Sequence, residues 1–209
     1  MVMKENTRNR ILVASLLLFN EHGEPGTTTN RIADEVDISP GNLHYHFAKK
    51  GQIVGALLDE FRADAAPVLA TPDTTSLDDF WVFLHLLLEL TGAYRFLFRD
   101  LELLAEAYPR AGHVIGHFAR ALNSVFELHL RNLVAGEVLE IGDDEAPVVA
   151  RNLGVIALFT NRFDRLTGRQ DAADATAVRV AGAVLAAMRP FATREAAQQI
   201  DRLADRYRQ

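Results

Sequence analysis

The chain has 209 residues, 49% of them hydrophobic and 24% charged, with no cysteine and a formal net charge of −6. That length fits one or two domains, and the composition is too apolar for a disordered chain. Without a thiol, structural disulfides, zinc–thiolate sites, iron–sulfur clusters and cysteine nucleophiles are excluded.

The longest greasy run, Phe80 to Leu90, holds eleven residues and includes His85 and Glu89. A membrane span needs ~20 apolar residues, so no membrane partner is expected. The opening Met1-Val2-Met3-Lys4-Glu5-Asn6 lacks the apolar core of a secretory signal, and the expectation is a soluble cytoplasmic protein. Charge is unevenly spread. Residues 1–50 hold six basic and six acidic side chains, so the remainder carries the whole deficit. All three lysines, Lys4, Lys49 and Lys50, lie in that balanced segment. A balanced unit on an acidic body can still present a basic face, and phosphate attraction follows the face rather than the sum.

The predicted elements are helical throughout. Ile11, Ala14, Ser15, Leu18 and Phe19 recur at helical spacing until Gly23. Thr27-Thr28-Thr29 supplies a hydroxyl cap for a short second helix carrying Ile32, Ala33 and Val36. Asp37-Ile38 makes a turn, and Ser39-Pro40 opens a third helix carrying Leu43 and Phe47. A fourth runs from about Lys50 to Ala66, with Ile53, Leu57, Leu58 and Phe61 inward. Pro67 and the stretch from Ala70 to Thr75 read as loop.

Longer helices follow: Ser76 to Thr91, Tyr94 to Ala107 (broken by Tyr108-Pro109), His113 to Val134, Pro147 to Leu166, Ala173 to Met188 and Thr193 to about Tyr207. The fold class is therefore all-α: a three-helix helix-turn-helix unit, then a helical bundle, about nine or ten helices in all. We divide the chain into the helix-turn-helix domain over residues 1–50, linked through helix 50–66, and a bundle domain over 51–209.

Two short helices joined by a tight turn and braced by a preceding helix describe a helix-turn-helix. Leu43 and Phe47, four apart, point to the core, while Asn42, His44, Tyr45 and His46 face outward. Gly41 lets the backbone approach a phosphate or a thymine methyl. Asn42 suits an adenine edge, and Thr28, Thr29, Ser39, His44 and Tyr45 suit phosphate oxygens. Pro40 and Lys49 complete this surface, and Lys50, at the start of the fourth helix, is expected to clamp a phosphate with its ammonium and the free amides. His44 and His46 do not make a metal pair, because residues two apart on a helix point to different faces.

The run Arg10-Ile11-Leu12, Leu18-Phe19, His22-Gly23, Thr27-Thr28, Ile32-Ala33, Ser39 to Phe47 and Lys50 resembles a TetR-family DNA-binding domain over about residues 8–61. His44 stands where the family usually has tyrosine, and Gly51-Gln52 where an acidic pair is common. The resemblance implies a homodimer, two recognition helices in successive major grooves and a ligand-binding carboxy-terminal domain. Phe19 to Pro25, Phe80 to Leu86 and Tyr94 to Leu101 further resemble the PhaD-type branch. That likeness implies an effector from fatty-acid or polyhydroxyalkanoate metabolism.

Nine of the seventeen aromatic residues fall between Phe80 and Phe126. Stripes such as Phe80, Phe83, Leu84 and Leu87, or Phe118, Leu122 and Phe126, with Phe159 and Phe163 facing them, are more often ordinary core than pocket wall. Polar residues at stripe positions, His85, His117, Asn123, His129 and Asn161, favour a pocket. The expected effector site is Trp81, His85, Phe98, His117, Asn123, Phe126 and Phe159. Arg95 and Arg99 fit either a carboxylate at its mouth or an exposed surface of weak ion pairs. His113 and His117 lack a third ligand, so no metal site and no cofactor are expected.

Helices 147–166 and 173–188, with Val155, Leu158, Phe159, Arg162 and Leu166 on one and Val180, Ala183, Val184 and Ala187 on the other, have the periodicity of internal packing as much as of a dimer interface, and it is the TetR resemblance that implies the interface. The chain has no nucleophile elbow, no glycine-rich phosphate loop and no His-Glu-x-x-His, so the expectation is a regulator and not an enzyme. The competing readings are a regulator of unrelated genes answering another apolar compound and a helical lipid-binding protein that ignores DNA.

Overall fold

The computed structural model describes residues 7–70, 74–169 and 173–205. Helix α1 (Thr7–His22) buries Ile11, Leu12, Ala14, Ser15, Leu18 and Phe19 and stops at Gly23, whose φ of +84° only glycine adopts without strain. In α2 (Thr29–Glu35) it is Thr28 that caps, its hydroxyl oxygen accepting the Arg31 amide at 3.2 Å. Thr27 is instead buried and donates its hydroxyl back to the Gly23 carbonyl. The turn between helices holds Asp37 at φ +52°. Its amide reaches Asp34 O and the Ile38 amide reaches Ala33 O. In α3 (Pro40–His46) Ser39 caps the Asn42 amide at 3.2 Å, and Pro40 occupies the first turn, where its missing N–H costs nothing.

Three boundaries differ from the sequence reading. Helix α4 (Lys50–Leu69) runs past Pro67 rather than stopping at Ala66. The amide that proline lacks would have bonded Ala63, an exposed residue whose carbonyl water can satisfy. The helix expected over Tyr94 to Ala107 is two, α6 (Arg95–Arg99) and α7 (Leu101–Ala107). They are broken at Asp100, whose φ/ψ of −120°/41° is not helical and whose carboxylate takes the Arg99 Nε at 2.9 Å. Helix α8 (Pro109–Ala135) begins with Pro109 in its first turn, four residues earlier than expected.

The rest follow closely: α5 (Leu77–Ala93), α9 (Ala146–Leu166), α10 (Ala173–Met188) and α11 (Arg194–Asp205), with a 3₁₀ turn at Arg189–Phe191. The last residues of the expected terminal helix, 206 and 207, lie outside the described residues, as do Lys4 and residues 71–73 of the expected loop. Among the described residues there are eleven α-helices and no strand, only an isolated antiparallel bridge between Leu139 and Ala192. None of these helices is long and apolar enough to cross a membrane.

The chain gathers into two compact units that do not follow the 1–50/51–209 division. The first joins the residues up to Asp64 with Ala93–Gly116; the second joins Ala65–Gly92 with the residues from His117 onward. In the first unit α6 packs on α1. Its aromatic core sets Phe19 at 5.4 Å from Phe96, and Phe61 at 5.3 Å from Tyr94 and 6.0 Å from Phe98, ring centre to ring centre. In the second, Phe80 and Phe83 of α5 meet Phe126 and His129 of α8. There α9 packs along α10, with an Arg179–Asp164 ion pair at 2.7 Å between them.

Candidate nucleic-acid interface

Helix α3 has one face anchored and one face open. Leu43 is fully buried and Phe47 nearly so, while Pro40, Gly41, Asn42 and His44 are exposed, His46 is half-buried and Tyr45 is 85% exposed. A tyrosine that exposed on a rigid helix loses the burial free energy of a large ring, ~2 kcal/mol, unless a partner covers it. Its ring lies edge-on to His46 at 5.3 Å, a contact that orients it without hiding it. Thr28 and Ser39 spend only their oxygen lone pairs on capping α2 and α3, which leaves each hydroxyl proton for a phosphate oxygen. Thr28, Ser39 and Lys49 are exposed, and Thr29 is half-buried. These residues share the first unit.

Lys50 is placed differently from the expectation of a phosphate clamp. Its ammonium lies 2.8 Å from Glu24 Oε1, 2.9 Å from the Glu24 carbonyl and 3.1 Å from the Thr27 carbonyl. Glu24 is buried, and the same carboxylate oxygen accepts the Tyr108 hydroxyl at 2.7 Å. Burial and that neighbouring carboxylate push the Tyr108 phenol well above its usual range, so it stays a donor. The acidic count of the first fifty residues thus overstates the charge near α3, since Glu24 is turned inward onto a lysine.

Arg99 makes the surface ion pair expected of it, with Asp100 at 2.9 Å, but both arginines also reach the backbone of α1. Arg95 Nε donates to the Asn20 carbonyl, and Arg99 donates to the Phe19, Asn20 and Glu21 carbonyls at 3.3–3.4 Å. Two guanidinium groups therefore cap the C-terminal end of α1, where unsatisfied carbonyls and the helix dipole favour cations. Asn20 completes the clasp: its amide donates to Ala93 O at 2.7 Å and its Oδ1 accepts the Phe96 amide at 3.0 Å. Asn20, Glu24 and Tyr108 escaped the sequence reading. Their partners lie 26 to 84 residues away, so no local spacing signals them.

The residues expected at the effector site are divided. Phe98 belongs to the first unit, packed on Phe61. Trp81 and His85 sit edge-on at 4.2 Å, with His85 Nδ1 3.1 Å from the Trp81 carbonyl. Phe126 is fully buried against Phe80 and Phe83. Asn123 and Phe159 are half-buried, and His117 is exposed. None of the seven lines the open groove of about 480 Å³ along the first unit, or the cleft of about 560 Å³ bounded by Val134, Glu137, Leu139, Glu140, Ile141 and Thr193. Phe163, expected to face the aromatic wall, is 66% exposed. The buried polar stripe residue is His129, whose imidazole burial pushes down to about 4. No group of three or more metal-ligating side chains occurs among the described residues.

On α9, Val148, Val155, Phe163 and Leu166 are exposed apolar residues at helical spacing. Val155 and Leu166 are members of the expected dimer face, whereas Val180 and Val184 of α10 are buried within the unit itself.

Comparison with known proteins agrees with this geometry. Over residues 60–200 the chain matches the family model described as a bacterial transcriptional repressor, TetR, and over residues 11–57 the one described as bacterial regulatory proteins, tetR family. It is 32% identical over 69 residues to the Bacillus subtilis protein named Probable HTH-type transcriptional regulator YttP, covering 33% of each chain. It is 26% identical over 127 residues to the biofilm operon icaADBC HTH-type negative transcriptional regulator IcaR of Staphylococcus epidermidis, covering 60% of this chain and 62% of that one. The chain thus spans under two thirds of the length of either curated relative.

Among solved structures, a TetR-family transcriptional regulator from Marinobacter aquaeolei VT8 superposes with a TM-score of 0.83 at 27% identity, covering 97% of this chain and 98% of that one. The TetR-family protein CprB of Streptomyces coelicolor A3(2) shares the fold, with a TM-score of 0.69 at 20% identity over 98% and 99% of the two chains. With a helix-turn-helix whose recognition face is open, and a family model that matches two thirds of its length, the chain belongs to the TetR family of bacterial transcriptional regulators.

Proposed function

We propose that the protein is a ligand-responsive transcriptional repressor that binds a near-palindromic operator as a homodimer. The observation that carries this reading is the split character of α3, with Leu43 and Phe47 locked in the core and Asn42, His44 and Tyr45 displayed to solvent. In this reading Asn42 reads a base edge at the N-terminal end of the recognition helix. Thr28, Thr29, Ser39, His44, Tyr45 and Lys49 hold the phosphate backbone around it, and Pro40, Gly41 and His46 complete the surface that meets the duplex. The exposed apolar stripe of α9 supports pairing of two copies through α9 and α10, because an isologous contact would cover it.

The effector in this reading is a hydrophobic small molecule held by the aromatic-rich second unit, drawn from fatty-acid or storage-polymer metabolism as the PhaD-type resemblance implies. It acts by population shift: a tenfold change in operator affinity requires only ~1.4 kcal/mol of preference for one conformation. The test is selection of duplexes from a random library by the full-length protein, followed by gel shift with and without long-chain acyl compounds. Recovery of a two-fold symmetric sequence supports the proposal. A protein that selects no duplex yet binds acyl chains is a lipid carrier, and the proposal fails.

A further inference from the structure

We propose that Lys50 is a positioning residue which Glu24 holds away from DNA, so that the phosphate contact at this edge of the recognition unit falls to Lys49. The inference rests on the DNA-binding reading above and departs from it at one residue. A lysine ammonium has three N–H donors and no more. Here each has an acceptor within the protein: Glu24 Oε1 at 2.8 Å, Glu24 O at 2.9 Å and Thr27 O at 3.1 Å. No donor is left for a phosphate while that arrangement stands.

Removing the ammonium to DNA would also strand Glu24. That carboxylate is 5% exposed and would keep the Tyr108 hydroxyl as its remaining side-chain donor. A buried carboxylate that loses its cation is among the costlier changes a fold can suffer, which favours Lys50 staying in place. Lys49, its neighbour, is exposed. The chain at residues 48–50 therefore points one lysine inward and one outward.

The same contacts explain what the inward lysine does. The Glu24 and Thr27 carbonyls belong to the turn between α1 and α2, immediately before the Thr28 cap. Lys50 opens α4, which follows α3 directly. One ammonium thus spans the turn entering α2 and the turn leaving α3, which sets the spacing of the two helices. Tyr108 reinforces it from the residue before α8. Its ring lies so near α4 that a Cβ on Gly51 would come within 3.1 Å of Cε1.

The salt dependence of binding separates a phosphate ligand from a positioning residue, because each neutralised phosphate adds about 0.9 to the slope of log K against log salt. The measurement uses full-length protein and a duplex that the wild type has selected. Variants are Lys49→Ala, Lys50→Met, and Glu24→Gln combined with Lys50→Met; the last removes both charges and guards against a Lys50→Met chain that does not fold.

The expected result is a slope shallower by about 0.9 for Lys49→Ala, and a wild-type slope with weakened affinity for Lys50→Met and the double variant. Tyr108→Phe should also weaken binding at unchanged slope. A slope shallower by about 0.9 in either Lys50 variant, or an unaltered slope in Lys49→Ala, overturns the inference while leaving the DNA-binding reading intact. A wild type that selects no duplex removes both.

Discussion

Gly23 holds a backbone conformation that disfavours any side chain, and Gly23→Ala has a cost that can be divided into parts. The residue sits at φ +84°, a conformation that costs an L-residue roughly 1–2 kcal/mol. An added Cβ would also collide with Arg99 Nη2, so the guanidinium end must swing away. That end is flexible, so the penalty is loss of its bonds to the Phe19, Asn20 and Glu21 carbonyls rather than a rigid clash. At 3.3–3.4 Å and partly exposed, those bonds together are worth ~1 kcal/mol.

The sum is about 2–3 kcal/mol, a fall in melting temperature of roughly 4–12 °C for a chain of this size. A double-mutant cycle read by thermal and urea denaturation tests the division. In an Arg99→Ala background only the backbone part should remain, so Gly23→Ala should cost about 1 kcal/mol less there than in the wild type. Equal cost in both backgrounds would refute the assignment of Arg99 to the end of α1.

Other consequences are as direct. Asn42→Ala should weaken binding to the selected duplex by ~1–3 kcal/mol and relax sequence preference at one position, whereas Tyr45→Phe should weaken all duplexes alike; competition gel shifts distinguish them. Equal losses on selected and random DNA for Asn42→Ala would remove it from base readout. Phe163→Glu places a charge on the exposed stripe of α9, and sedimentation should find a monomer with its helical circular dichroism retained.

His129 makes stability depend on pH. Its imidazole titrates near 4 in the folded chain against an ordinary 6.5, because burial disfavours the cation. The unfolded chain binds the proton first, so this contribution is complete above pH 6.5 and is lost as pH falls toward 4, amounting to about 3 kcal/mol. His129→Leu should flatten stability across that window, and an unchanged pH profile would show that the imidazole is not so placed.

The helix-turn-helix was legible because its signals are local. Thr28, Ser39 and Pro40 act within one turn of where they stand, and the alternation of Leu43 and Phe47 with Asn42, His44 and Tyr45 is the helical period itself. The apolar stripes of α5 and α8 were legible on the same ground. Spacing did not say which apolar residues would be left outside. Phe159 and Phe163 differ by one helical turn, yet the first is half-buried and the second is 66% exposed.

The sequence by itself determined an all-helical chain, the caps and turn of its DNA-binding unit and the residues that unit displays, because 3.6-residue periodicity and capping hydrogen bonds involve only near neighbours. The tertiary structure alone decided the partners of the long polar side chains. Lys50 goes to Glu24 and Thr27, Arg99 to the end of α1, Asn20 to Ala93 and Phe96, and Tyr108 to Glu24. A lysine or arginine has reach enough for many acceptors, and which one it finds depends on how helices far apart in the chain come to pack.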